Sequence, residues 1–286
     1  MDLSIIIVSW NVREKLKENL LALYDSVGDI NFEVFVVDNN STDNTVEMIK
    51  NDFFKVKLIA NNQNLGFAKA NNQAIKRASG KYVLLINPDM KVFPNTLANM
   101  VGWMNNHPQA AVASCQLIDI QNSIIKHIRR FPGLIDQLAI VLKLPHFIPS
   151  ILKKYLREDF DYSHEAVVDS IRGSFFMIRA KVLDKVGLLD EQYFIWFEEV
   201  DYCQRIKAAG LEVWYTPIAQ SVDYIGQSFQ LIKTLKKQKY FCDSQLKYFK
   251  KWRPIWQYWL LKIAWLIGII LSFVAEVANF KSKAKT

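Results

Sequence analysis

The sequence predicts an α/β protein: a mostly parallel sheet with helices on both faces, extended by basic and apolar helices at the C-terminal end. Three observations predict it. Over residues 1 to about 115, short β-branched and apolar runs alternate with helical patterns, which is how a parallel sheet with crossover helices reads. At 286 residues, 51% hydrophobic and 22% charged, the chain can bury a full core. Beyond about residue 229 the composition turns basic and then apolar.

The strands of the first half read as Ser4 to Val8, Glu33 to Val37, Val56 to Ala60, Tyr82 to Ile86 and Ala111 to Ser114. Leu16, Leu20, Leu21, Leu23 and Tyr24 stripe a helix between the first two. Ser41-Thr42-Asp43 supply capping side chains for a helix from Thr45 to Lys50, and Ala68 to Ala78 is a helix that stops at Gly80. Residues 116 to 165, broken by Pro132, Pro145 and Pro149, read as a lid or insertion. Order returns with a strand-like run from Ser170 to Arg179 and a helix from Ala180 to Val186. A second helix opens at Glu198-Glu199-Val200-Asp201, carries Val200, Cys203 and Ile206 on one face and ends at Gly210. Leu211 to Tyr215 is a further strand, and Gln227 to Lys251 a long basic helix.

The net charge of +8 suits nucleic acid, anionic lipid or a phosphorylated ligand, and its distribution separates these. Lysines from Lys233 to Lys251 precede an apolar segment, Ile255 to Ala275, whose only charge is Lys262 and which is rich in Trp and Tyr. Amphipathic rings beside lysines favour a lipid interface over nucleic acid. The segment is just long enough to span a bilayer, and lying in the interface is the preferred expectation. Cys115, Cys203 and Cys242 are odd in number and widely spaced, against a disulfide framework or a zinc site. Met1-Asp2-Leu3-Ser4 runs into Ile5-Ile6-Ile7-Val8 without the regions of a signal peptide. Together these place the protein at the cytoplasmic face of a membrane, peripheral or monotopic.

Ligands of such a sheet collect beyond the carboxyl ends of its strands. Asp38, Asn39 and Asn40 follow the second strand, near Ser9-Trp10-Asn11 after the first, and Asp38 with Asn40 can read the edge of a pyrimidine. Asn64-Leu65-Gly66-Phe67, with Asn71 behind it, crowds amides and a glycine where a helix starts, a setting for a diphosphate. Asn87-Pro88-Asp89 ends the fourth strand: Pro88 stops the ladder and leaves Asp89 as an oxygen ligand for Mg²⁺ or Mn²⁺. Glu198, Glu199 and Asp201 offer carboxylates for proton abstraction, set against an ordinary acidic helix start with an Asp201–Arg205 pair.

Taken in order, Val36 to Asp43, Asn64 to Ala68, Leu85 to Asp89, Arg172-Gly173-Ser174-Phe175-Phe176 and Phe197 to Asp201 resemble glycosyltransferase family 2, and within it the rhamnosyltransferase-like members, over roughly residues 3 to 228. The resemblance implies a GT-A fold, a dTDP- or UDP-sugar donor, a divalent metal, and inverting transfer of a single sugar, with rhamnose a candidate. It makes 1–115 the donor-binding half and 116–228 the acceptor-binding half, with 229–286 a membrane-associating segment. The acceptor would be a lipid-linked or cell-surface glycan, and a homo-oligomer is compatible with it. By resemblance Asp38 binds the base, Asp89 the metal and diphosphate, Arg172 and Gly173 belong to the donor site, and Glu199 is the base.

Two departures stand out. The family usually has Asp at the position of Glu199, and a His near Gly226-Gln227-Ser228 that this chain lacks; Asp223 is the candidate replacement ligand. A catalytically inactive nucleotide-sugar-binding or scaffold subunit is the alternative. A processive synthase, a nucleotidyltransferase and a dinucleotide oxidoreductase lack their signatures here.

Overall fold

In a computed structural model the described residues are 1–26, 28–224 and 234–283, with residues 270–283 described as helix backbone. Nine strands form one sheet: β1 (Leu3–Ser9), β2 (Phe32–Asp38), β3 (Lys57–Ala60), β4 (Tyr82–Ile86), β5 (Met90–Val92), β6 (Ala110–Ile118), β7 (Ala166–Val168), β8 (Phe175–Arg179) and β9 (Glu212–Asp223). Their order is β3-β2-β1-β4-β8-β6-β9-β5, with β7 also on β9. The helices are α1 (Arg13–Asp25), α2 (Thr45–Asp52), α3 (Phe67–Ile75), α4 (Thr96–Asn106), α5 (Leu134–Val141), α6 (Ala180–Val186), α7 (Glu198–Ala208), α8 (Thr234–Trp252) and α9 (Ile255–Lys283).

Alternation along the strands makes two cores. Leu3, Ile5 and Ile7 of β1 and Tyr82, Leu84 and Ile86 of β4 face α1, α2 and α4. Ile6, Val83 and Leu85 face α3, α6 and α7. Burying each such side chain contributes roughly 1.5–3 kcal/mol, so a one-residue slip of β1 or β4 would expose a whole row.

The sheet is mixed rather than mostly parallel. Four strand pairings are parallel and four antiparallel. Only the β3-β2-β1-β4 half follows the crossover pattern. β8 begins where β4 ends, with Phe175 opposite Ile86, so it must run back along it. The expected strand from Ser170 is therefore shorter, and Ser170 to Ser174 serve as its approach. Strand β9 continues well past Tyr215: three extra residues are accommodated between the pairs Ser114–Tyr215 and Gln116–Gln220. Pro217 sits in that irregularity, where a missing N–H costs no ladder bond.

The capping expectation is redirected as well. Ser41 Oγ accepts from Asn11 N–H, and Asp43 accepts from the N–H of Arg13 and of Thr45, so both side chains tie the β1–α1 and β2–α2 loops together. All three cysteines are buried free thiols. The start of the expected helix at Gln227, and the boundary at 228, lie outside the described residues. Among the described residues no helix is long and apolar enough to cross a membrane.

At the opposite end of the sheet, buried Glu33 accepts from Ser4 Oγ, Lys57 Nζ and the N–H and Oγ of Ser79, joining β1, β2, β3 and the turn into β4. Burial alone would raise its pKa, but hydrogen bonds from Lys57, Ser4 and Ser79 outweigh it and hold the carboxyl at about 2 instead of 4.5. A depressed folded pKa stabilises above the unfolded value and is lost as pH falls. Glu33→Gln should thus be less stable than wild type at pH 7, with the gap closing between pH 4.5 and about 2 in urea titrations.

Candidate functional site

A cavity of about 400 Å³ opens at the carboxyl ends of β1, β4 and β9. Its floor is the Asn87-Pro88-Asp89 turn. Asn87 N–H bonds Ser174 O, Tyr224 N–H bonds Asp89 O, and Asn19 of α1 donates to both Asn87 O and Met90 O. Asn19 is buried on the Leu16–Leu20–Leu23 face. It was missed in the sequence, although a polar residue on an apolar helix face is a readable signal. Asp223, across from Met90 in register, brings a second carboxylate to the same wall. Its Oδ2 is 3.1 Å from Arg172 Nη1, and Arg172 is itself a lining residue.

On the facing side, Glu198 and Glu199 begin α7. Both enter the cavity, and each has one buried carboxylate oxygen without a hydrogen-bond partner. The chain reaches them through Trp196 and Phe197, consecutive non-glycine residues with φ of 63° and 68°. Such left-handed residues are strained by roughly 1–3 kcal/mol and persist only where their surroundings hold them.

That hold comes from two sides. From α3, Phe67 N–H donates to Phe194 O, and Asn72 both donates to Leu189 O and accepts from Leu189 N–H. Gly66, at φ +82°, lies so close that a Cβ there would meet Phe194 O at 2.4 Å. The amide density of this stretch thus braces the loop carrying Glu198 and Glu199, and the first N–H of α3 is engaged by Phe194. From α8, Tyr240 stacks on Phe194 at 4.7 Å, and Ser244 Oγ donates to Ile195 O.

The remaining sequence candidates divide. Trp10, Asn64, Gly66, Phe67, Asn87, Asp89, Arg172, Gly173, Glu198, Glu199 and Asp223 line the cavity together. Ser9 and Asp38 stand opposite one another at the ends of β1 and β2, beside the lining residues Val8, Trp10 and Asn39. Ser9 Oγ and Asp38 Oδ1 are buried without partners, while Asp38 Oδ2 accepts from Ser41 N–H. Asn40 adopts a left-handed backbone with its side chain exposed, and Asn39 lines the cavity instead. Asn71 lies behind the wall, its Nδ2 on Phe67 O. Asp201 is fully buried and turned away, held by Arg205 at 2.9 Å, Lys251 at 2.8 Å and Trp252 Nε1 at 2.7 Å. Ser174, from the Arg172–Phe176 run, joins the lining, and Phe194, Ile195, Trp196 and Tyr240, which were not singled out as site residues in the sequence, complete it. The three aromatics have no local signal, since only the crossing of the 193–197 loop by α8 brings them to the opening.

The electrostatics are lopsided. Burial, then the neighbouring Glu199 charge, raises the Glu198 carboxyl well above its usual range. Burial raises Glu199 too, but Arg172 opposes the rise. Both carboxyls are pushed toward their neutral forms, Glu198 the more strongly, so of the two Glu199 is the one that gives up its proton more readily. Even with Glu198 pushed toward its neutral form, the carboxyls of the cavity outnumber its one guanidinium, which leaves little welcome for a diphosphate unless a cation joins it. Two Asp oxygen donors on one wall fit a hard divalent ion. Among the described residues no three acids, cysteines or histidines are grouped so as to hold a metal ion by themselves, so its other positions fall to ligand oxygens and water.

A family model described as glycosyl transferase family 2 matches residues 4–187. The chain is 26% identical over 228 residues to the rhamnosyltransferase WbbL of Escherichia coli, spanning 77% of this chain and 82% of that protein. It is 24% identical over 222 residues to an N-acetylglucosaminyl-diphospho-decaprenol L-rhamnosyltransferase of Mycobacterium tuberculosis, spanning 74% and 72%. Its fold resembles the mannosyltransferase PcManGT from Pyrobaculum calidifontis, solved with GDP-Man and Mn²⁺, at a TM-score of 0.59, 17% identity and coverage of 99% and 80%.

A carboxyl whose folded pKa is raised destabilises the native state increasingly as pH climbs from the unfolded pKa toward the folded one. Glu198→Gln is therefore expected to raise the thermal midpoint at pH 7–8, with a gain that shrinks toward pH 4, read by calorimetry across that range.

Proposed function

The chain belongs to glycosyl transferase family 2, and on that premise we propose that this glycosyltransferase moves a single sugar, rhamnose, from a dTDP- or UDP-linked donor to a hydroxyl of a lipid-linked glycan, with inversion at the anomeric carbon. The observation that carries the reading is the facing pair in one cavity: the Asp89–Asp223 wall with Arg172 on one side and the buried Glu198–Glu199 pair on the other. The names of the relatives support rhamnose and a polyprenol-linked acceptor.

In this reading the nucleoside lies along the ends of β1 and β2, where Trp10 offers a ring and Asp38 Oδ1 and Ser9 Oγ offer unpartnered hydrogen-bonding atoms. Arg172 offers the diphosphate a planar, permanently charged partner. Asp89 and Asp223 would hold Mg²⁺ or Mn²⁺, which when bound offsets charge on the departing nucleoside diphosphate. Glu199 takes the proton of the acceptor hydroxyl as that oxygen attacks the anomeric carbon. Glu198, kept neutral, leaves Glu199 as the single charge there. Gly173 flanks the stem of Glu199: a Cβ there would sit 3.5 Å from Glu199 Cβ, in ordinary contact.

Glu199→Gln should lower kcat by about 10²–10⁴-fold while donor binding persists, and Asp89→Asn should abolish transfer together with its divalent-cation dependence. Steady-state kinetics with donor calorimetry check both. Near-normal transfer by Glu199→Gln would remove it as the base, and absence of turnover in wild type with every donor and cation would favour the scaffold alternative.

The acceptor would meet the enzyme at a lipid surface. Trp256, Trp259, Leu260, Ile263, Leu266 and Ile267 are exposed at helical spacing on α9, while Leu261 and Ala264 are buried beneath them. Lys262 lies 4.9 Å over the Trp259 ring, its stem along the apolar stripe and its charge at the edge. An apolar stripe bordered by lysines complements an anionic bilayer and fits a helix lying in its plane. Full-length protein should co-sediment with vesicles containing phosphatidylglycerol far more than with neutral phosphatidylcholine vesicles, and a Trp256→Glu, Trp259→Glu double variant should stay in solution. Equal recovery of variant and wild type, or concentration-dependent self-association without vesicle binding, would overturn the lipid assignment.

A further inference from the structure

We propose that Lys251 and Trp252, in the last turn of α8, are positioning residues for Glu198 and Glu199 and act through Asp201. The inference rests on the reading of Glu199 as the base. It starts from the face of α8. Phe241, Ser244, Lys247, Tyr248, Lys251 and Trp252 recur at helical spacing, and all meet the 190–204 stretch. Phe241 and Tyr248 pack on the Phe197 ring at 5.5 and 5.6 Å. Ser244 and Lys247 donate to the carbonyls of Ile195 and Gln192. Lys251 Nζ bridges Asp190 at 2.7 Å and Asp201 at 2.8 Å.

Asp201 is where these contacts reach the site. Its N–H closes the first turn of α7 on Phe197 O, so its side chain and the two glutamates move as one turn. Arg205 grips Oδ2 from within α7, and Lys251 and Trp252 grip Oδ1 from α8. Arg205 also donates to the Val186 and Leu188 carbonyls and so ties Oδ2 to the end of α6 and the chain that follows it, while Oδ1 is left to α8. The contacts from α8 supply an outside reference. They also oppose relaxation of the left-handed Trp196–Phe197 pair, which would rotate Glu199 out of the cavity. The family match ends at residue 187, so the helix that fixes this geometry lies outside it.

The test uses the full-length protein with Trp252→Phe, which keeps a ring and removes the N–H, and Lys251→Met, which keeps the stem and removes the charge. Each is expected to lower kcat on the order of 10²-fold, the cost of a misplacement near 1 Å, with donor KM within about twofold of wild type. Lys251→Met should also move the acid limb of the pH–rate profile upward, and Lys251→Arg should recover most of the rate. Should Trp252→Phe fail to fold, the lysine pair decides. Variants that lower the thermal midpoint while folded protein keeps wild-type kcat and pH profile would show a merely structural contact and overturn the proposal. Glu199→Gln at wild-type kcat would instead sink the base reading itself, whereas an inactive Glu199→Gln beside active α8 variants would sink only this inference.

Discussion

The left-handed turn at Trp196 and Phe197 is the constraint on which the site depends. A chain leaving β8 and α6 must come back over the carboxyl edge of the sheet and start α7 with two acids pointing down into the cavity. That reversal uses a backbone region most side chains avoid, and it holds only because α3 and α8 grip the loop from opposite sides. Gly66 is part of the same requirement, since any side chain there would collide with the Phe194 carbonyl. The third apolar cluster, built from Tyr193, Phe197, Leu246, Tyr248, Phe249 and Leu261, makes the C-terminal hairpin integral to the site.

A second constraint is charge. Buried acids without paired cations shift toward their neutral form, and here the shift is unequal: the Glu199 charge adds to the rise of Glu198, whereas backbone N–H groups and then Arg172 oppose the rise of Glu199. Arg172 also bonds Asp223, so one guanidinium links the Glu198–Glu199 side of the cavity to the Asp89–Asp223 side. Such a centre is poised for a ligand that brings both phosphate oxygens and a cation. Asp201, in the same first turn as the pair, is correspondingly matched by cations, Arg205 on Oδ2 and Lys251 on Oδ1, since a third unpaired buried acid there would be costly.

The strands of the parallel half were legible because each buried strand carries a run of apolar, largely β-branched or aromatic residues, and the ends of those runs marked Asp38 and Asp89. The mixed half was less so. Nothing in Phe175 to Arg179 states its direction, and Pro217 hid the second half of β9. Within the site, Asp89, Arg172, Glu198, Glu199 and Asp223 could be picked from the sequence and do converge. Asn40 and Asp201 could not be sorted from Asn39 and Glu199, since a one- or two-residue step around a turn or helix reverses the side a residue faces. The amides from Asn61 to Asn72 read as an anion site, yet many of their hydrogen bonds go to one another or to the returning loop.

The sequence by itself determined the α/β class, the family, the strand ends where ligands collect and the inventory of acids. Those follow from local rules: alternation of apolar residues, turn chemistry and ordered motifs. Only the tertiary structure decided which acid faces the cavity, which of two neighbouring glutamates is pushed further toward its neutral form, and that α8 forms part of the wall. Each of these depends on burial and on partners distant in the chain, such as Glu199 with Arg172 or Asp201 with Trp252, and no local pattern encodes such distances.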